Sequence, residues 1–263
     1  MIEVTGRDPI DLHRAIRRAV TESQVSHRPP QMWASALPLC PKAFWLEARG
    51  RPRMDTASFA GDVRMNKGSA IHSALQAALA RAGILWGDWS CRRCSTGYGL
   101  YRAPVRSSFP PPPCPEHGPL SYEEVRVEVD GISGRVDGIV CPTRRLADGV
   151  YIVEWKTTER LPEPEDGPKP QHAEQANFYA CALRDQLKIL GTVVQYRYTT
   201  SPMQYVSREI VPSLEHFEAQ RASARYIREH LHDEQPLWGI CDRGGDPYFC
   251  GYRDYCERTR HHE

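Results

Sequence analysis

Long apolar runs are missing from this 263-residue chain. No stretch approaches the roughly 20 consecutive apolar residues that a membrane helix needs, and the N-terminus lacks the apolar core of a signal peptide. The expectation is a cytoplasmic protein with no membrane partner, in a compartment that keeps thiols reduced. Charge of one sign is missing too. Lys plus Arg total 34 against 33 Asp plus Glu, a formal net charge of +1, so no whole-molecule field advertises a polyanionic partner. Contacts to nucleic acid would have to be local. Arg14, Arg17 and Arg18, and again Arg49, Arg51 and Arg53, form short basic stretches that could serve or could be solvated faces. No internal repeat is present. The hydrophobic content of 40% is ordinary for a globular chain and enough for a real core.

Cysteine is plentiful. Nine of them, an odd number, in a reducing compartment argue for metal ligation over disulfides. Cys91-Arg92-Arg93-Cys94 is followed, after nineteen residues, by Cys114-Pro115-Glu116-His117. That is C-x₂-C then C-x₂-H, two knuckles of the kind that present four ligands to one tetrahedral Zn²⁺. They fall in a stretch from about Trp86 to Pro119 that is rich in Gly, Ser, Pro and Arg and cannot build an apolar core of its own. A metal would fold such an insertion directly. Arg92, Arg93, Arg102 and Arg106 would let it act as a DNA-backbone clamp, beside a purely structural or a protein-docking role. Cys141 and Cys181 read as core thiols.

Periodicity predicts a mixed α/β core. Helices are expected from Asp8-Pro9 to Val20, after Ser35, over 68–82 with a stop at Gly83, over 171–190 with a stop at Gly191, and from Ser213 to about His232. Strands are expected over 122–129, 132–140, 150–157, 192–199 and 204–211. The tail over 235–263 is irregular, aromatic and cysteine-bearing. Four segments follow: 1–85 helical, 86–120 the zinc-binding insertion, 121–234 the core, and 235–263 the tail.

The chemistry-bearing residues lie on the expected strands. Asp137 stands in Gly134-Arg135-Val136-Asp137-Gly138, and Glu154 and Lys156 in Val153-Glu154-Trp155-Lys156. Glu154 and Lys156, two apart, face the same side of a strand. An E-x-K pair by itself is an ordinary solvent-facing pair, but here it follows Tyr151-Ile152-Val153 in an apolar strand. Carboxylate oxygens suit Mg²⁺ or Mn²⁺, and a lysine beside them can position a water and offset phosphate charge.

With His72 on the expected helix ahead of the sheet, and Gln175 and Tyr179 one turn apart on the helix after it, this order resembles the RecB-like branch of the PD-(D/E)XK nucleases. It is similar in particular to the CRISPR-associated Cas-four exonucleases and the AddB nuclease domain. The resemblance implies a restriction-endonuclease-like mixed β-sheet flanked by helices, with the zinc-ribbon-like insertion and an iron–sulfur tail added. It implies that His72, Asp137, Glu154 and the Trp155 carbonyl hold Mg²⁺ or Mn²⁺, that Lys156 acts on the attacking water, and that Gln175 and Tyr179 orient the site. It also implies that Cys40, Cys241, Cys250 and Cys256 bind a 4Fe-4S cluster. Eight residues separate Cys241 from Cys250 where the family often has two, and zinc remains a competitor for these thiolates. The implied activity is exonucleolytic hydrolysis of DNA that is single-stranded or has free ends, in recombination, repair or end processing, with a recombination or CRISPR-integrase protein as partner. The alternatives are a non-catalytic DNA-binding subunit, a CRISPR adaptation factor, or an endonuclease on the same core.

Overall fold

The structure, a computed structural model, describes residues 32–34, 42, 45–46, 59–94, 104–107, 111–163 and 165–233, with backbone alone over 59–62. The expected helix over 8–20, most of the one after Ser35, the two N-terminal arginine stretches, Arg102, Cys40 and the tail with Cys241, Cys250 and Cys256 lie outside the described residues.

In chain order the elements are β1 (Met32–Trp33), α1 (Phe59–Arg81), β2 (Leu85–Ser90), β3 (Val105–Ser107), β4 (Ser121–Glu123), β5 (Val125–Val129), β6 (Ile132–Val136), β7 (Gly138–Val140), β8 (Val150–Thr158), α2 (Pro170–Leu183), β9 (Ile189–Tyr198), β10 (Ser201–Ile210) and α3 (Leu214–Glu229). The larger sheet runs β10-β9-β8-β7-β2-β3, with β4 also on β2, and the smaller runs β1-β6-β5. Only β8–β9 in the larger sheet and β1–β6 in the smaller are parallel. This mixed sheet with its flanking helices fits a restriction-endonuclease-like fold. Among the described residues no helix is long and apolar enough to cross a membrane.

Two of the expected strands are each broken in the middle. The stretch 122–129 divides at Glu124 and 132–140 divides at Asp137. At both breaks the chain leaves one sheet and enters the other: β4 and β7 pair in the larger, β5 and β6 in the smaller. Corners where strands switch sheets are where ladder pairing lapses and a side chain can be re-aimed. Asp130 and Gly131 turn the β5–β6 hairpin with φ of 50° and 78°, the positive values a tight two-residue turn requires. Arg221 and Arg225 of α3 hold the Asp130 carboxylate at 2.6 and 3.2 Å.

Three expectations shift. Helix α1 begins at Phe59, well before Gly68. The expected 171–190 helix ends at Leu183, because Ile189 is drawn into parallel pairing opposite Val150; β-branched residues at a helix end yield readily to such tertiary pairing. Residues 86–90, read from sequence with the insertion, are a strand of the larger sheet.

Along β8, Val150 and Ile152 are fully buried and Tyr151 is exposed, so Glu154 falls in the buried phase. Helix α2 presses Phe178, Tyr179 and Leu183 into the same core, each such side chain contributing about 1.5–3 kcal/mol. Gly134 of β6 admits Tyr179. A Cβ there would lie 2.5 Å from the ring and 2.8 Å from the Ala34 Cβ. Gly134→Ala should therefore cost about 1–3 kcal/mol through overpacking, read as a lower denaturation midpoint. An unchanged midpoint would show that Tyr179 does not need this gap.

Candidate functional site

The corner between the sheets collects acids. Asp137, at the β6–β7 break, accepts a hydrogen bond from the Trp155 N–H through Oδ2 at 2.8 Å. Its Oδ1 lies 3.4 Å from the His72 Nδ1. Glu124, at the β4–β5 break, joins them, so that one donor atom each from His72, Glu124 and Asp137 all lie within 4.8 Å of one another. Gln76, one turn beyond His72 on α1, ties this group together. Its Nε2 donates to Glu124 Oε1 at 2.9 Å and to the Asp137 carbonyl at 3.0 Å. The Trp155 indole stands edge-on to the His72 ring with centroids 5.8 Å apart. Gly138 leaves room for that indole, for a Cβ there would come within 2.8 Å of it.

Glu154 and Lys156 form the second half. Glu154 Oε1 is 2.6 Å from the Lys156 ammonium, while its Oε2 is buried without a hydrogen-bond partner. Lys156 also donates to Gln175 Oε1 at 2.9 Å, and Gln175 Nε2 donates to the Tyr179 hydroxyl at 3.0 Å. His72 of α1, Asp137 at the β6–β7 break, Glu154, Trp155 and Lys156 of β8, and Gln175 and Tyr179 of α2 thus form two hydrogen-bonded groups that meet along β8. The Trp155 N–H points at Asp137, and in an extended strand the carbonyl of the same residue leaves on the same edge.

Electrostatically the corner is unfavourable to its own acids. Burial, then the nearby Asp137 charge, push the Glu154 carboxyl well above the ordinary range, against the pull of Lys156. Burial, then Asp137, raise Glu124 likewise. Burial and the Glu154 charge push the Tyr179 hydroxyl up. His172 on α2, half-buried against the Tyr196 hydroxyl at 3.0 Å, is held at about 3 by burial and then by Lys156 and Lys169. Crowded carboxylates and an orphaned buried carboxylate oxygen are the features a divalent cation relieves. The donor set, oxygens with one imidazole, suits Mg²⁺ or Mn²⁺.

A separate cluster unites Cys91, Cys94, Cys114 and His117. Cys94 Sγ and Cys114 Sγ are 3.7 Å apart, and His117 Nδ1 lies 3.5, 3.4 and 3.6 Å from the sulfurs of Cys91, Cys94 and Cys114. Tetrahedral ligation with Zn–S of about 2.3 Å and Zn–N of about 2.0–2.1 Å has edges of about 3.5–3.8 Å. The spacing matches. All three cysteines are buried, and Leu120 packs against them. The backbone N–H of Cys94 lowers the Cys91 thiol to about 6, toward the thiolate a metal needs.

Two residues of the acidic corner, Glu124 and Gln76, are absent from the sequence-derived set. Gln76 had a faint signal in its i+4 spacing from His72. Glu124 had none, because its strand read as unbroken.

Residues 111–257, more than half of the chain, match the family model of the PD-(D/E)XK nuclease superfamily. The chain belongs to that superfamily and is on that basis a metal-dependent nuclease. No curated protein matches it. A solved structure described as "Crystal structure of SSO0001" is similar with a TM-score of 0.45 and 13% identity, over 92% of this chain and 94% of the other.

Glu124 and Glu154 hold their protons more tightly folded than unfolded. Their burial therefore costs least below the ordinary carboxylate value of about 4.5 and increasingly more as pH rises above it. Asp137→Asn keeps an acceptor for the Trp155 N–H and removes the charge both acids face. At neutral pH without divalent ions it should raise the thermal midpoint by about 2–4 °C, the size of roughly 1 kcal/mol in a domain of this length. The same variant should lose the upward shift that a divalent ion such as Mn²⁺ is expected to give the wild type. A midpoint below wild type in ion-free buffer would contradict the crowding argument.

Proposed function

We propose that the chain is a DNA exonuclease of the RecB-like branch, similar to the CRISPR-associated Cas-four and AddB-type iron–sulfur nucleases. It hydrolyses phosphodiester bonds in recombination, repair or end processing, on DNA that is single-stranded or has free ends. The observation that carries this reading is the convergence of Asp137, from the β6–β7 break, with Glu154 and Lys156 of β8 beside His72, with one buried Glu154 oxygen left unpartnered.

His72, Asp137, Glu154 and the Trp155 carbonyl would hold Mg²⁺ or Mn²⁺, with Glu124 as an added donor. When bound, such an ion lowers the pKa of a water and neutralises charge on the phosphate. Lys156 is the partly exposed cation of the set. It orients the attacking water and offsets phosphate charge, and Gln175 and Tyr179 fix its direction. Beyond the end of β8 a cavity of about 580 Å³ opens, lined by Thr158, Arg160, Lys169 and Tyr196 among others. Its wall carries two cations, Arg160 and Lys169, against two acids, Glu163 and Asp166, with Arg160 paired to Glu163 at 3.3 Å.

We further propose Zn²⁺ for Cys91, Cys94, Cys114 and His117, supported by the tetrahedral spacing. A 4Fe-4S cluster on Cys40, Cys241, Cys250 and Cys256 is supported by the sequence pattern alone. The organisation into 1–85, 86–120, 121–234 and 235–263 goes with these assignments, β2 being the part of the second segment that the main sheet shares. A recombination or CRISPR-integrase protein would be the partner. A non-catalytic DNA-binding subunit or CRISPR adaptation factor is the second reading; the full set of competent side chains favours catalysis.

Purified protein with Mn²⁺ should degrade linear DNA and spare supercoiled circles, which an endonuclease would nick. Lys156→Ala should lower the rate by at least about 10²-fold, the usual worth of positioned proton-handling groups, with circular dichroism unchanged. Equal rates in wild type and variant would remove Lys156 from the site. Anaerobically purified protein should be brown, with about four irons and about one zinc per chain. A colourless, iron-free preparation would hand the tail cysteines to zinc.

A further inference from the structure

Strand β2 joins the thiolate cluster to the acidic corner. At its start Leu85 and Trp86 pair with Val140 and Ile139, in the strand that follows Asp137. At its far end Asp88, Trp89 and Ser90 pair with Glu123, Tyr122 and Ser121, in the strand that ends just before Glu124. Cys91 is the next residue after β2, and Cys114 and His117 lie seven and four residues before Ser121. The cluster therefore clamps the open end of the β2–β4 ladder, and Glu124 hangs from its other end, beside β7.

The ladder has three paired positions. Strand β2 is also paired with β3 over Gly87 to Trp89, whereas among the described residues β4 is held to the larger sheet by these three positions alone, a weak attachment for a strand. Its side-chain contacts are few: Ser90 Oγ to the Glu123 carboxylate, and the Trp89 ring edge-on to Tyr122 at 5.4 Å. Tyr122 lies over Gly87, where any Cβ would strike the ring. The chain between Cys94 and Cys114 is the Gly-, Ser- and Pro-rich stretch, and Leu120 is the one partly buried hydrophobic residue packed against the cysteines among the described residues. A metal held by the four side chains would close that loop, and its binding energy would be folding energy for the segment. From Glu124 the connection continues through Gln76 to the Asp137 carbonyl and, one helical turn back, to His72.

We infer that the metal held by Cys91, Cys94, Cys114 and His117 fixes the β2–β4 ladder and with it the position of Glu124, so that affinity for the divalent ion at the acidic corner depends on occupancy of the thiolate site. The inference rests on reading His72, Glu124 and Asp137 as donors to that ion. It makes the insertion a positioning element rather than a clamp on DNA.

The test uses the full chain. His117→Ala and Cys114→Ser remove zinc ligands, and His117→Cys keeps a four-ligand set. Zinc content, Mn²⁺ binding without DNA by electron paramagnetic resonance, far-ultraviolet circular dichroism, and KM for DNA at saturating Mn²⁺ are measured for each. The expected result is at least about tenfold weaker Mn²⁺ binding in the two zinc-free proteins, the usual cost of losing a group that orients a metal ligand. Their dichroism and their KM for DNA stay near wild type, and His117→Cys retains both zinc and Mn²⁺ affinity. Unchanged Mn²⁺ affinity in a folded zinc-free variant would overturn the inference, as would a defect confined to KM, which marks a DNA clamp, or a wild-type chain without thiolate-bound zinc. Should the variants fail to fold, wild type stripped of zinc by a chelator, then dialysed and titrated with Mn²⁺, is judged by the same outcomes. Zinc-dependent Mn²⁺ binding in a protein that cuts no DNA would sink the nuclease reading and leave the coupling standing. Cleavage with zinc-indifferent Mn²⁺ binding would do the reverse.

Discussion

The corner between the two sheets concentrates negative charge where water is scarce, and much of the fold is arranged around that cost. Glu154 takes a position in phase with Val150 and Ile152, where an aliphatic side chain would ordinarily stand. An acid so placed, with one oxygen unpartnered and Asp137 close by, works against stability unless a cation answers it. Lys156 answers half, through Oε1. The other half of the carboxylate faces no protein donor. A local conflict of this kind, an unpaired acid in the buried phase of an apolar strand, is what a functional site looks like physically.

The supporting structure is rigid where the acids need it. Glu124 and Asp137 each sit where the chain changes sheets, so ladders on both sides fix the backbone while the residue between is free to turn its side chain inward. His72 and Gln76 come from a helix that runs through Gly83 directly into β2, and the Cys141 N–H bonds the Ile84 carbonyl at that junction. That bond and the tight turn at Gly83 tie the end of the helix to the sheet. Sites built on regular elements hold their geometry better than sites built on loops.

Much of this was legible in the chain. Period-two alternation placed Glu154 and Lys156 on one face, and the two knuckles at Cys91, Cys94, Cys114 and His117 announced a common ligand set, because both patterns are local. What escaped was long-range. Glu124 looked like one charge in a strand, since the break that frees it exists only because β4 and β5 belong to different sheets. Trp86 to Ser90 looked like part of a core-poor insertion, since its partners β4 and β7 lie some thirty to fifty residues downstream. Helix α2 was read too long because Ile189 and Leu190 fit a helical stripe as well as a strand, and only the pairing with β8 decides between them.

The hydrogen-bond relay behind Lys156 has a fixed polarity. An ammonium can only donate, so the Gln175 atom facing Lys156 must be the amide oxygen, which turns the amide nitrogen toward Tyr179. The Tyr179 hydroxyl then accepts from Gln175, and burial keeps it protonated. The cation at one end of the relay thus sets which way the Gln175 amide faces, and the Tyr179 ring behind it sits in the gap that Gly134 leaves. A neutral isostere at position 156 would lose the donated bonds that tie Glu154 Oε1 and Gln175 Oε1 to one group, leaving a second oxygen of the buried acid unsatisfied. The lysine therefore belongs to the stability of the corner as much as to its chemistry, and its two roles cannot be separated by charge alone.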